Sequence, residues 1–404
     1  MSKHILKLQN PEFLADPAPT LARLRAQGPL VKTKIPLLGE VWLTTTDNAA
    51  RELLKDQSRF RRDLRIKSKS NSKKPYWWMP NTMIPLMDNM VLKDGADHKR
   101  LRRLVDQAFA RTAIDDLKPR IIEIADRLLD KIDKEKPVDI VAAYTRELPF
   151  EVICELLGIP LADRAFVAKG IKPISSASRP INMIWAMFRL KAILGYFRAD
   201  FAEVRAKGRD GLIGELVRAE AEGQKLTDDE LLAMVFTLFF AGHETTVHLI
   251  NNAILAMIDA PEIRQHLIGN PEHLPLAIEE FMRFFSPVMM TKAHYAIDDC
   301  EFQGVQVKKG DALSAFLLAA NHDPARSVDP ETQIPNRRPN AHIGFGFGPH
   351  VCLGMQLARA EAEIALRRLF ERFPQLQLEI PGKAVPFTRR IGIRAPKGLR
   401  LILA

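Results

Sequence analysis

Cysteine is scarce in this chain of 404 residues, where Cys154, Cys300 and Cys352 are the only three. An odd number without CxxC spacing argues against a disulfide framework and favours a reducing compartment. Three thiols also cannot hold a four-cysteine iron–sulfur cluster. Long apolar runs are missing too. The N-terminus Met1-Ser2-Lys3-His4-Ile5 opens onto polar sequence without the apolar core of a signal peptide. The longest hydrophobic stretch, Leu231 to Ala241, is about half a membrane span and ends at Gly242-His243-Glu244. It reads as a core helix, and the expectation is a soluble, cytoplasmic protein with no membrane anchor. No GxGxxG follows a strand-like segment, so a fused nicotinamide or flavin module is not expected.

What is present describes a large globular core: 47% of residues are hydrophobic and 27% charged. The net charge of +10 admits nucleic acid, anionic membrane surfaces or acidic proteins as partners. No zinc-finger, RNA-recognition or helix-turn-helix signature accompanies it, which weighs against nucleic acid. The basic stretch Arg61, Arg62, Arg65, Lys67, Lys69, Lys73 and Lys74 is broken by serines and reads as a surface loop. Length alone suggests two or three domains, but no linker divides the chain, so one domain over 1–404 is expected. Apolar residues recur at three and four in Leu101 to Phe109, Ile121 to Ile132, Leu231 to Met257 and Ala358 to Phe370. Strand-like pieces occur at Trp42 to Thr45, Glu301 to Val307, Leu376 to Ile380 and Gly398 to Leu403. The fold class is mainly α with small β-sheets.

The densest signal is the run Phe345-Gly346-Phe347-Gly348-Pro349-His350-Val351-Cys352-Leu353-Gly354. A lone cysteine is more often a small buried hydrophobe. Here Gly346, Gly348 and Gly354 offer the positive φ angles of a tight loop, which would bring backbone N–H groups close to an iron-bound sulfur. The loop resembles the haem-binding signature of the cytochrome P-450 family, the haem-thiolate monooxygenases.

Other constellations follow in the family's order. Ala241-Gly242-His243-Glu244-Thr245-Thr246 abruptly sets an acid and two hydroxyls into an apolar helix. Read from the residues alone, it is equally a polar kink facing water or the wall of a pocket, where Thr245 could bond a carbonyl one turn back and loosen the helix. Glu280 and Arg283 stand three apart on one helical face. Their apolar surroundings suggest burial and a need for further partners. His98 and Arg102, four apart, can both donate to a carboxylate or simply belong to a solvated basic helix.

The resemblance implies roles for these residues. Cys352 becomes the iron ligand, with Phe345, His350 and Gly354 around the haem. Glu244 and Thr245 become the acid and alcohol that supply protons to oxygen chemistry, and no role falls to His243. Glu280 and Arg283 become a structural pair joined by Arg337, with Arg338 as the alternative. His98 and Arg102 become donors to the haem propionates. His294 departs from the pattern, since many soluble bacterial members carry arginine there. A histidine can still donate to a propionate, with a charge that depends on pH. Weaker matches are Asn321-His322-Asp323-Pro324 and the run from Gly354 to Glu361.

The fold implied is a single P-450 domain, with haem between a long central helix and the helix after the cysteine loop. The implied cofactor is haem b (iron protoporphyrin IX), with O₂ as co-substrate and NAD(P)H electrons arriving indirectly. Their carrier would be a ferredoxin or flavodoxin-type donor with its reductase, docked on the basic surface around Arg100, Arg103 and Arg359. The implied activity is oxidation, with hydroxylation favoured, of a hydrophobic small molecule of moderate size. Family regions for substrate contact fall on Trp77, Trp78, Met183, Trp185, Phe236, Phe240, Ala241, Val288, Met289, Met290 and the stretch near Ile391. Arg61, Arg62 and Lys292 leave room for an acidic substrate group. The competing readings are a non-catalytic haem sensor or carrier and a peroxide-driven haem enzyme. The paired acid and alcohol argue against both.

Overall fold

Helices form where apolar residues recur at three and four. The periodic runs lie within the helices Gly95–Arg111, Asp228–Asp259 and Met355–Arg372, while Ile114–Asp130 stops two residues short of Ile132. The structure is a computed structural model describing residues 6–35, 39–63, 66, 83–87, 89–111, 114–176, 180–221, 226–382 and 384–403. The basic residues Arg65, Lys67, Lys69, Lys73 and Lys74 lie outside them, as do Trp77, Trp78 and the side chains of Met183 and Trp185.

The chain sorts into two units, each assembled from separate stretches. The first comprises Met1–Ser70, Lys118–Pro149 and Glu244–Ala404, and the second Asn71–Leu117 and Phe150–His243.

All ten strands of the described residues belong to the first unit: β1 (Leu30–Ile35), β2 (Gly39–Thr44), β3 (Phe60–Arg61), β4 (Val138–Asp139), β5 (His294–Ala296), β6 (Cys300–Phe302), β7 (Val305–Val307), β8 (Ala312–Ser314), β9 (Gln377–Leu378) and β10 (Arg400–Ile402). The order β1-β2-β8-β5-β3 makes the largest sheet, and β4-β10-β9 a smaller one. The sequence run Glu301 to Val307 is the hairpin β6-β7, turned by Gln303 and Gly304 at φ of 54° and 76°. The helix Asp47–Lys55 is capped by Thr46, whose Oγ1 accepts from the Ala49 N–H at 3.3 Å. It buries Ala49, Ala50, Leu53 and Leu54.

The helix Leu274–Phe285 carries the main polar constraint of this unit. Glu280 and Arg283 are 0% and 1% exposed. Arg283 grips the carboxylate with Nε and Nη2 at 2.8 and 2.9 Å, and Arg337 Nε reaches both its oxygens at 3.1 and 3.0 Å. Arg337 therefore occupies the third position, beside the Ile334 N–H at 2.9 Å and Asn340 Nδ2 at 3.1 Å. The guanidiniums spend their remaining donors on the carbonyls of Asn321, Pro330, Thr332, Val328 and Asp329. The helix ends at Ser286, left-handed at φ 42°, whose hydroxyl donates back to the Arg283 carbonyl at 3.0 Å.

In the second unit every secondary-structure element among the described residues is a helix. Its core is aromatic. Phe236 lies 5.9 Å from Phe197 and 5.7 Å from Phe240, and Phe239 lies 5.7 Å from Phe150. Phe236 is thus a buried core residue. The helix Asp228–Asp259 runs without a break through Thr245. Among the described residues it is the one helix long and apolar enough to cross a membrane, and 56% of that window is buried.

Removing the Glu280 charge leaves two buried guanidiniums without a counter-charge. We predict that Glu280→Gln lowers the unfolding free energy by about 3–5 kcal/mol, measured by urea titration followed by circular dichroism. An unchanged midpoint would show that the network contributes nothing to the fold.

Candidate active site

The cysteine loop is built by close approach. Gly346 and Gly348 take φ of 77° and 72°, conformations that disfavour side chains. A Cβ on Gly348 would lie 2.6 Å from the Leu54 carbonyl oxygen, and one on Gly344 would lie 2.6 Å from Met282 Cγ. The loop therefore rests directly on the helix Asp47–Lys55 and on the helix that holds Glu280. Two backbone bonds close it: Gly346 N–H to the Ile343 carbonyl and Cys352 N–H to the Phe345 carbonyl, both 2.8 Å. Gly354 differs from expectation. Its φ is −85°, with open space around the Cβ position, and it caps the helix Met355–Arg372. Cys352 is half-buried and forms no disulfide.

Beside the loop, Phe345 lies under the Arg359 guanidinium at 4.9 Å and 6.0 Å from the His342 ring. Both Arg359 and His342 converge on Glu279. Arg359 donates from Nε and Nη2 at 2.7 Å, and His342 Nε2 lies 3.1 Å away. Burial alone would raise the Glu279 pKa, but the bonds from His342 and Arg359 outweigh it and carry the value down to about 2. Arg359 is thus committed to an internal network. Arg100 is likewise paired, with the buried Glu230 of the second unit. Each of these two arginines is tied to a carboxylate of its own unit.

His294, in β5, is 4% exposed, and its Nε2 accepts from Arg62 Nε at 3.2 Å. Burial, then the charges of Arg62 and His350, push its proton affinity well below that of an ordinary histidine. The charge is therefore not the pH-dependent one expected. The ring stays neutral with its proton on Nδ1, and that buried Nδ1 has no hydrogen-bond partner. Arg62 supplies the permanent cation instead. At 6% exposure and bound to His294, it is not free to receive a substrate acid.

The helix Asp228–Asp259 is buried from Leu231 to Phe236 and again from Leu249 to Met257, but Phe240 to Thr245 are partly or fully open. The acid and alcohol sit in that open interval. Glu244 is bound by Arg390, whose Nη1 reaches its two oxygens at 2.9 and 2.8 Å. In the second unit, a Cβ on Gly242 would lie 3.0 Å from Ile153 Cδ1, and His243 meets Phe150 edge-on at 6.0 Å.

His98 is 3% exposed in the helix Gly95–Arg111 of the second unit, and Arg102 donates to Asp106 at 3.0 and 3.1 Å. Of the expected pocket residues, Met289 exposes no surface and packs into the apolar cluster of Phe13, Leu21 and Phe316. It belongs to the core rather than to an opening. Val288 retains partial exposure, whereas Met290 is buried in the same cluster; the segment is tied through the Val288–Ile393 bridge and the bond from the Met289 N–H to the Gly392 carbonyl at 2.8 Å. Glu361, met in the sequence only as part of a weak match, is wholly buried. Burial pushes its carboxyl well above the usual carboxylate range.

A model of the cytochrome P450 family matches residues 190–397. The polyketide biosynthesis cytochrome P450 PksS of Bacillus subtilis is 35% identical over the full length of both chains. The chain belongs to the cytochrome P450 family. A vitamin D(3) 25-hydroxylase of Pseudonocardia autotrophica is 36% identical, over 91% of this chain and 89% of that one. The solved structure of PksS superimposes with a TM-score of 0.89, covering 99% of this chain and 100% of the other at 34% identity. A myxobacterial cytochrome P450 in complex with myristic acid gives 0.89 at 35% identity over 98% of each.

The protein is accordingly a haem-thiolate monooxygenase of bacterial type, mainly α with small sheets. It binds haem b, uses O₂, and receives NAD(P)H electrons indirectly through a separate redox partner while acting on a small molecule. The residues present fit the group. A half-buried thiol on a glycine-shaped loop suits iron, and the Nδ1–H of His294, which lacks an acceptor, suits an anionic oxygen such as a propionate.

Glu279 has its folded-state value depressed from the ordinary 4.5 to about 2. Its contribution to stability is therefore present above pH 4.5 and lost as pH falls towards 2, on the order of 3 kcal/mol in all. Urea titrations of wild type and Glu279→Gln should differ most at neutral pH and converge in acid. A gap independent of pH would refute this.

Proposed function

We propose that the whole chain, 1–404, acts as one cytochrome P450 domain that hydroxylates a hydrophobic molecule of moderate size. Haem bound through Cys352 would supply the activation of dioxygen. The observation that carries the reading is the pairing of two features: a cysteine loop closed by its own backbone, and a buried helix that opens at Phe240 to Thr245, where it carries an acid and an alcohol.

In this reading Glu244 takes a proton from water on a carboxylate oxygen, and Thr245 Oγ1 passes it inward. His294 donates Nδ1–H to a propionate with Arg62 behind it, and His350 lies near enough for its charge to act on His294. The propionate role of His98 and Arg102 rests on the family motif alone. Phe345 shields the sulfur side, held by Arg359. Phe240, Ala241, Val288 and Met290 contact substrate, an apolar lining suited to a hydrophobic ligand. Relatives are named for polyketide and vitamin D(3) chemistry, which is consistent with that class. The electron donor is a ferredoxin or flavodoxin-type protein with its reductase, and the enzyme is soluble and cytoplasmic. A sensor or carrier would need no proton relay.

Two measurements test this. The reduced carbon monoxide spectrum should show the long-wavelength Soret band of thiolate ligation in wild type and lose it in Cys352→Ser; retention would remove Cys352 as ligand. Thr245→Ala should keep that band yet lower product formed per NAD(P)H roughly tenfold or more, with peroxide released instead. Unchanged coupling would remove the relay role.

A further inference from the structure

Glu244 is held from far along the chain, by a residue the family motif does not contain. Arg390 lies 146 residues away, and its Nη1 sits against both carboxylate oxygens at 2.9 and 2.8 Å. Among the described residues this guanidinium is the only hydrogen-bond partner of the Glu244 side chain.

The arginine is fixed at its base. Gln9 Nε2 donates to the Arg389 carbonyl at 2.8 Å, and the Ile393 N–H donates to the Arg390 carbonyl at 3.2 Å. Between them Gly392, left-handed at φ 76°, accepts from the Met289 N–H at 2.8 Å. The turn that carries Arg390 is therefore tied to the backbone between the partly exposed Val288 and the buried Met290.

The pair itself sits at the water boundary, with side chains 45% and 23% exposed. Ion pairs this open add little to stability, so folding gives no reason for a distant loop to reach this particular acid. Position does. A carboxylate without a partner samples several rotamers, whereas one held on a fixed turn presents its oxygens in one place next to Thr245.

We propose that Arg390 is the positioning residue of the proton relay, keeping the Glu244 carboxylate at the point where water can reach it. This rests on the relay role given to Glu244 and Thr245.

The test is a double-mutant cycle in the holoenzyme with surrogate redox partners, reading product and peroxide per NAD(P)H in wild type, Arg390→Gln, Arg390→Lys, Glu244→Gln and the double variant Arg390→Gln/Glu244→Gln. Arg390→Gln should cut coupling several-fold, Arg390→Lys should recover at least half of it, and the double variant should be no worse than Glu244→Gln. The carbon monoxide spectrum and the midpoint of the substrate-induced spin shift should not move. A crystal structure of Arg390→Gln should show Glu244 leaving its rotamer. Wild-type coupling in Arg390→Gln, an unmoved Glu244, or a double variant whose loss is the product of the two single losses would each overturn the proposal. If Glu244→Gln alone leaves coupling intact, the relay reading fails and the positioning role falls with it. If only Glu244→Gln uncouples, the relay stands and Arg390 has no part in it.

Discussion

Glu280 is the constraint on which the cysteine side of the molecule depends. A fully buried carboxylate is costly unless its lone pairs are filled, and this one accepts from Arg283, Arg337, Asn340 and the Ile334 amide. Through those donors it fastens the irregular stretch from Val328 to Asn340, which has almost no secondary structure of its own. That stretch leads directly into Ile343 and the glycine loop. A segment with few hydrogen bonds of its own is thus rigidified from inside by one anion, and the thiol at its end inherits a fixed position.

Polar groups near the site come in layers rather than as isolated residues. Phe345 opens the loop and Arg359 covers its ring. Glu279 holds Arg359, and His342 completes the set. The same logic appears at β5, where His294 offers a hydrogen bond and Arg62 offers charge. Each contact group is oriented by a partner that is itself already satisfied, which is how a site gains precision without rigid covalent links.

Much of this was legible in the sequence. Helix periodicity located the long helix and the helix after the cysteine, and glycine spacing identified the loop, because both signals are local. Glu280 with Arg283 was visible as a spacing of three, while Arg337 came only from the family resemblance, with Arg338 as its alternative. The polar pairings missed in the sequence are all long-range. Nothing local links Arg62 to His294 across 232 positions, Arg390 to Glu244 across 146, or Arg359 to Glu279 across 80. Met289 failed for a different reason: an apolar residue beside a pocket and one in the core carry the same side chain, and only burial separates them. Gly354 was assigned a strained turn by its company, though it needs no unusual backbone angle.

The pairing of β3 with β5 sets Phe60 opposite Ala296 and Arg61 opposite Tyr295, bringing Arg62 and His294 together. Charge and donor are thereby divided between β5 and the residue just after β3, far apart in the gene. An arginine introduced at 294 would meet a second guanidinium already lodged there, so the two positions are free to drift only in concert. Among descendants of a common ancestor, a histidine at 294 and an arginine at 62 should be inherited as a linked pair.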